Sequence, residues 1–109
     1  MNTPSRKLLV QLWGEHEQAP FPPRARGVNI ADVELVVVDA NVAGCVFTAL
    51  SGALDDFRRR ILVECIGWLD RVLPLLEDAY EVEYFGRVRD MAAVLAALEG
   101  LEIETKPSP

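Results

Sequence analysis

The residues best suited to chemistry lie in "VELVVVDANVAGC", residues 33–45. An apolar run meets Asp39, and a small-residue stretch then leads to Cys45. A carboxylate at the tip of a strand can do acid–base work, and the same carboxylate can cap the helix that follows. A thiol becomes a nucleophile when a base ionises it, and His16 is the single imidazole in the chain. Asp39, His16 and Cys45 therefore form one conceivable nucleophilic set. The apolar surroundings of "VAGCVF" favour packing, so Cys45 is assigned to the core and Asp39 to a helix cap. With one histidine and no CxxC, the usual zinc site cannot be built around Cys45 and Cys65. Both cysteines read as free thiols in a reducing cytoplasm.

Two other stretches carry binding chemistry. "FPPRARG" offers Phe21, Arg24 and Arg26 on a stiff Pro-rich segment, where arginine reaches carboxylates bidentately. Its plainer reading is a rigid connection. "EDAYEVEY" interleaves Glu77, Asp78, Glu81 and Glu83 with Tyr80 and Tyr84. Aromatic groups ringed by carboxylates suit a basic protein partner.

These residues must be held by a small set of elements. Residues 7–13, "KLLVQLW", read as a strand, followed by a loop over 14–27 that holds Pro20, Pro22 and Pro23. Val28 and Ile30 can begin a second strand. Residues 33–38, "VELVVV", read as a buried strand because β-branched residues dominate the run. Asp39 or Asn41 then caps a short helix over about 41–50. Asp55 and Asp56 open a long amphipathic helix whose stripe includes Phe57, Ile61, Cys65, Val72 and Leu76, with Pro74 as its kink or stop. A further helix spans about 79–98, with Gly100 as its C′ residue. "LEIE" at 101–104 alternates like an edge strand. The expected architecture is α+β: a small N-terminal β-sheet of two to three strands packed against two long antiparallel helices and one short helix. A chain of 109 residues forms a single domain, with 1–6 and 105–109 as flexible tails. Two long helices on so small a sheet leave an apolar face open, which makes a homodimer a candidate assembly.

Two resemblances attach to these motifs. "LVVVDANV" resembles the opening of PIN-domain nucleases, where an apolar strand ends in D-x-[NS] before a helix. "DMAAVLAALEGLEIET" at 90–105 resembles that family's later segment. The resemblance implies that Asp39, Glu64 and Asp90 hold Mg²⁺ or Mn²⁺ and activate water against a phosphodiester. The chain departs from that family: Lys106-Pro107-Ser108-Pro109 follows Thr105 where a further acidic residue is expected. Separately, "DANVAGC", "LDRVLP" and "YFGRVRD" together look like a group of small uncharacterised bacterial proteins, over roughly residues 33–95. That likeness implies a compact domain and no particular activity.

Charge separates the classes of partner. The net charge is −6, with +2 over residues 1–30 and −5 over residues 77–109. An acidic C-terminal third repels phosphate backbones, so nucleic acid is disfavoured and a basic protein surface is the better match. The apolar stretch 35–54 has the length of a membrane span, but Asp39 lies inside it at a cost of about 2.5–3.5 kcal/mol. No membrane association, cofactor or small-molecule ligand is expected. The leading expectation is a small cytoplasmic, non-enzymatic interaction domain, of the immunity or antitoxin type, that presents an acidic helical face to a protein partner. The alternatives are a minimal PIN-like metal-dependent ribonuclease using Asp39, Glu64 and Asp90, and a structural homodimer subunit of a larger assembly.

Overall fold

The structure is a computed structural model that describes residues 4–103. It is mostly helical, with a small two-stranded antiparallel sheet, and so belongs to the α+β class. The elements run α1 (Arg6–Gln18), β1 (Asn29–Ile30), β2 (Val33–Glu34), α2 (Leu35–Ala49), α3 (Asp56–Val72) and α4 (Ala79–Leu98). Short 3₁₀ turns lie at Pro23–Ala25 and Leu73–Leu75.

The strand expected over 7–13 is corrected to a helix. Ser5 caps α1, its Oγ accepting from the Leu8 amide at 3.1 Å. Leu8, Leu9, Leu12, Trp13 and His16 recur at helical spacing and turn toward the core. The helix passes through Gly14 and stops before Pro20, which holds Ala19 in extended backbone. Of the expected tails, Ser5 and Arg6 begin α1, while 1–3 and 105–109 lie outside the described residues.

The strand over 33–38 is also corrected. Pairing is confined to a hairpin with Asn29 opposite Glu34 and Ile30 opposite Val33. Its two-residue loop, Ala31-Asp32, has φ of 52° and 63°, as a type I′ turn requires. From Leu35 the chain is helical despite its β-branched residues. Leu35, Val38, Val42, Cys45, Val46 and Ala49 recur every three or four residues and are all buried, so burial outweighs local preference. Asp39 is consequently inside α2, neither at a strand tip nor at a cap. The apolar stretch 35–54 is broken where α2 ends at Ala49, and no helix among the described residues is long and apolar enough to cross a membrane.

The last two helices form where the periodicity puts them. Asp55 Oδ1 accepts from the Arg58 amide at 2.8 Å to start α3, and Pro74 lies in the 3₁₀ turn that ends it. Asp78 caps α4, accepting from the Glu81 amide at 3.0 Å. Gly100, at φ 70°, closes α4: its amide donates to Ala97 O and the Leu101 amide to Ala96 O, the two bonds of a Schellman motif. Leu101–Ile103 form no strand, and Glu104 lies outside the described residues.

One core joins the four helices. Phe85, Leu9, Leu35, Leu62, Ile66, Leu69, Met91 and Leu95 are its largest fully buried side chains apart from valines. Arginines tie helix ends across it, where the dipole favours cations. Arg6 donates to Leu50 O at 2.7 Å beyond the end of α2, and Arg59 donates to Glu99 O at 2.9 Å beyond the end of α4.

Candidate functional site

Three helices bring one polar cluster together. His16 from α1 meets Asp39 from α2, with Nε2 and Oδ1 3.0 Å apart. Tyr84 from α4 donates its hydroxyl to Asp39 Oδ2 at 3.0 Å. The His16 side chain is 8% exposed and that of Asp39 17%. The imidazole and Oδ1 are close without being aligned as a hydrogen bond, and both His16 Nδ1 and Asp39 Oδ1 are buried with no hydrogen-bond partner among the described residues. Aromatic rings enclose the cluster: Trp13 lies 6.0 Å and Tyr84 5.0 Å from His16, centroid to centroid. Burial pushes the Tyr84 hydroxyl up, and the Asp39 charge and hydrogen bond push it further, so it stays a neutral donor.

The nucleophilic set is only partly assembled. Asp39 and His16 meet, but Cys45 lies six residues further along α2 and faces α3, where its Sγ donates to Arg58 O at 3.5 Å. Burial raises the Cys45 thiol above its ordinary value despite the lowering by Arg58. Cys65 is pushed up to about 12 by burial, then by Cys45 and Glu64. Both remain thiols near neutral pH, the form that does not attack.

The three carboxylates of the nuclease reading have different surroundings. Asp39 is engaged by His16 and Tyr84. Glu64 is exposed on α3. Asp90 is on α4 at a groove shared with Leu8, Leu12, Ala93 and Val94, whose apolar walls raise its carboxyl against the lowering by Arg89. Among the described residues, no group of three or more His, Cys, Asp or Glu side chains could hold a metal ion.

The binding residues divide between surface and interior. Glu77, Tyr80 and Glu83 are exposed at the start of α4, and Glu81 is half-buried there. Asp78 is the helix cap, and Tyr84, 3% exposed, belongs to the buried cluster. Tyr80 donates its hydroxyl to Pro20 O at 2.6 Å, which fastens the Pro-rich segment to α4. In that segment Phe21 is an anchor, edge-on to Tyr84 at 5.6 Å and Phe85 at 6.0 Å. Arg26 lies over the Phe21 ring at 6.0 Å, and Arg24 is exposed.

Between α1 and the first half of α4 runs an open groove of about 600 Å³. Gly14, Ala19, Pro20 and Tyr80 contribute to its lining, and Glu15 and Glu83 bring carboxylates to it. Arg87 also lines it, 3.7 Å from Glu83. Glu15, Gly14 and Arg87 were missing from the sequence-based set. Reading 14–27 as a loop hid the α1 contribution, although the spacing of Leu8, Leu12 and Glu15 carries a helical signal.

No protein-family model, curated protein or solved structure matches this chain. The likenesses to PIN-domain nucleases and to small bacterial proteins therefore rest on their short motifs alone.

Proposed function

We propose that this chain is a protein-interaction domain that receives a basic segment of a partner protein in the groove between α1 and α4. The observation that carries this reading is the groove's composition: Gly14, Ala19, Pro20 and a 38%-exposed Tyr80, together with Gln11, Gln18 and the carboxylates of Glu15 and Glu83. Glu17 on α1 and Glu81 on α4 add negative charge to the same two helices. Arg87 offsets part of it, but its side chain is 14% exposed and already beside Glu83. A half-exposed tyrosine among carboxylates can pack against the stem of an arginine or lysine while the rim receives its charge. Such a domain fits an immunity or antitoxin role, in which an acidic protein masks a basic enzyme. Cys45 and Cys65, free and buried, suit a reducing cytoplasm.

The test is an amide-resolved NMR titration with a lysine- and arginine-rich peptide, at low and at high salt. Shifts are expected to cluster at Gly14, Glu15, Tyr80 and Glu83 and to weaken as salt rises. The double reversal Glu15→Lys/Glu83→Lys should abolish them. Shifts spread evenly over the surface, or unchanged in the reversal, would sink the groove as the binding site. A parallel Mg²⁺ and Mn²⁺ titration addresses the ribonuclease alternative, which requires saturable shifts at Asp39, Glu64 and Asp90 together.

A further inference from the structure

We infer that the partner's basic segment is an α-helix of about four turns lying along the whole α1–α4 seam, with one cation against Glu15 and Glu83 and a second, about two turns on, against Asp90. The inference rests on the groove reading above and extends it to the partner's conformation, length and register.

The groove that holds Tyr80 and Glu83 continues past Arg87. A second pocket of about 310 Å³ follows it, lined by Pro4, Leu8, Leu12, Asp90, Ala93 and Val94. The first pocket pairs the second half of α1 with the start of α4, and the second pairs the first half of α1 with the later part of α4. The two helices therefore run antiparallel, and the pockets stand end to end along one seam. They adjoin on both helices: Gln11 and Leu12 are neighbours on α1, and Arg87 and Asp90 are one turn apart on α4. On α4 the lining positions Tyr80, Glu83, Arg87, Asp90 and Val94 alternate spacings of three and four, which places them on one face. Leu8, Gln11, Glu15 and Gln18 do the same on α1. From Tyr80 to Val94 the seam is ~21 Å long, about four turns of helix.

Charge along the seam defines the occupant. Glu15, Glu83 and Asp90 stand against one guanidinium, that of Arg87, which is already beside Glu83. Asp90 makes no ion pair among the described residues, and the walls around it are Leu8, Leu12, Ala93 and Val94. Partial burial against those walls raises its carboxyl, so a cation placed beside it recovers stabilisation that the walls withhold. Glu83 and Asp90 are seven residues apart on α4. Two cations seven residues apart on a second helix lie on one face at the same spacing, ~10 Å.

The walls define the conformation. Backbone amides and carbonyls in the middle of α1 and α4 are bonded within their own helices. An extended segment in the seam would find no backbone partner there, whereas a helix satisfies its amides internally. An amphipathic helix laid in a groove between two helices is also an ordinary packing arrangement, at ~8–10 Å between axes.

Synthetic peptides test this by amide-resolved NMR and isothermal titration with the full chain. The first is a ~18-residue alanine-rich helix with two arginines seven residues apart and leucines between them on the same face. It is expected to shift Leu8, Asp90 and Val94 together with Glu15, Tyr80 and Glu83. Asp90→Lys, at an exposed position, should weaken this peptide at least ~10-fold with an unchanged far-UV circular dichroism spectrum. A second peptide with proline at its centre should bind at least ~10-fold more weakly than the first. Shifts confined to Glu15, Tyr80 and Glu83, with affinity indifferent to Asp90→Lys, overturn the inference and leave the groove reading standing. Equal affinity for the proline peptide means an extended occupant and overturns the inference in the same way. Absence of shifts at Glu15, Tyr80 and Glu83 overturns the groove reading and the inference together.

Discussion

The α1–α4 side of the molecule and its α2–α3 side meet solvent in opposite ways. Between α1 and α4 runs a groove that holds Glu15, Glu83 and Arg87, and His16, Asp39 and Tyr84 form a buried polar cluster. Along α2 and α3 the exposed face carries valines, phenylalanines and small residues. The cluster ties three helices into one arrangement, because a slip breaks both the Tyr84–Asp39 hydrogen bond and the His16–Asp39 contact. An apolar face carries no such directional constraint and gains by being covered. The two sides should respond differently to salt: screening weakens contacts in a charged groove and leaves apolar contacts intact.

Substitutions can break that comparison at its hinge first. Phe85 is fully buried and packs edge-on to Phe21 and Tyr84, so Phe85→Ala should cost about 3–5 kcal/mol in urea unfolding. Asp39→Ala acts on the α1–α4 side alone. It removes the acceptor of Tyr84 and the neighbour of His16, at about 2–3 kcal/mol. Hydrogen exchange should then quicken in α1 well before α3. Tyr84→Phe deletes one hydrogen bond and should cost about 1 kcal/mol. Equal quickening of α1 and α3 in Asp39→Ala would mean that the cluster does not set the register of α1.

A pH series sharpens the α2–α3 side. Cys65 is raised from 9.0 to about 12 in the folded chain, so the folded state holds the proton more tightly than the unfolded state does. Stability is therefore fully present below pH 9 and should fall as pH rises from there toward 12. Cys45 and Tyr84, raised for the same first reason, steepen the fall. Urea midpoints measured from pH 8 to pH 11 should drop progressively, and less so in Cys65→Ala; an identical slope in that variant would remove Cys65 as a cause. The smallest effect belongs to the hairpin that feeds α2. Ala31 is at φ 52°, where a Cβ is strained, so Ala31→Gly should stabilise by about 0.5–1 kcal/mol in the same assay.

Much of the second half was legible from residues close together in the chain. Asp55 and Asp56 open a helix, the stripe through Ile61, Cys65 and Val72 has helical spacing, and Gly100 is a C′ glycine. Each of those signals acts within a turn or two of helix. "KLLVQLW" and "VELVVV" were misread because a short apolar run suits a strand or a buried helix equally, and β-branching favours the strand. Of the site, the pairing of His16 with Asp39 was conceivable from composition, while the participation of Tyr84 in place of Cys45 was not.

By itself the sequence determined α3 and α4, the start of α3 and the C′ glycine of α4, the uneven charge and the absence of a cysteine–histidine zinc motif, because local hydrogen bonds, helical periodicity and composition decide those features. Only the tertiary structure decided that the two N-terminal apolar runs become helices. It also decided that Asp39 turns toward α1 and α4 while Cys45 turns toward α3. The physical reason is burial. Leu35, Val38, Val42 and Val46 gain more by packing as a helix against distant residues than their β-branched neighbours lose in local preference.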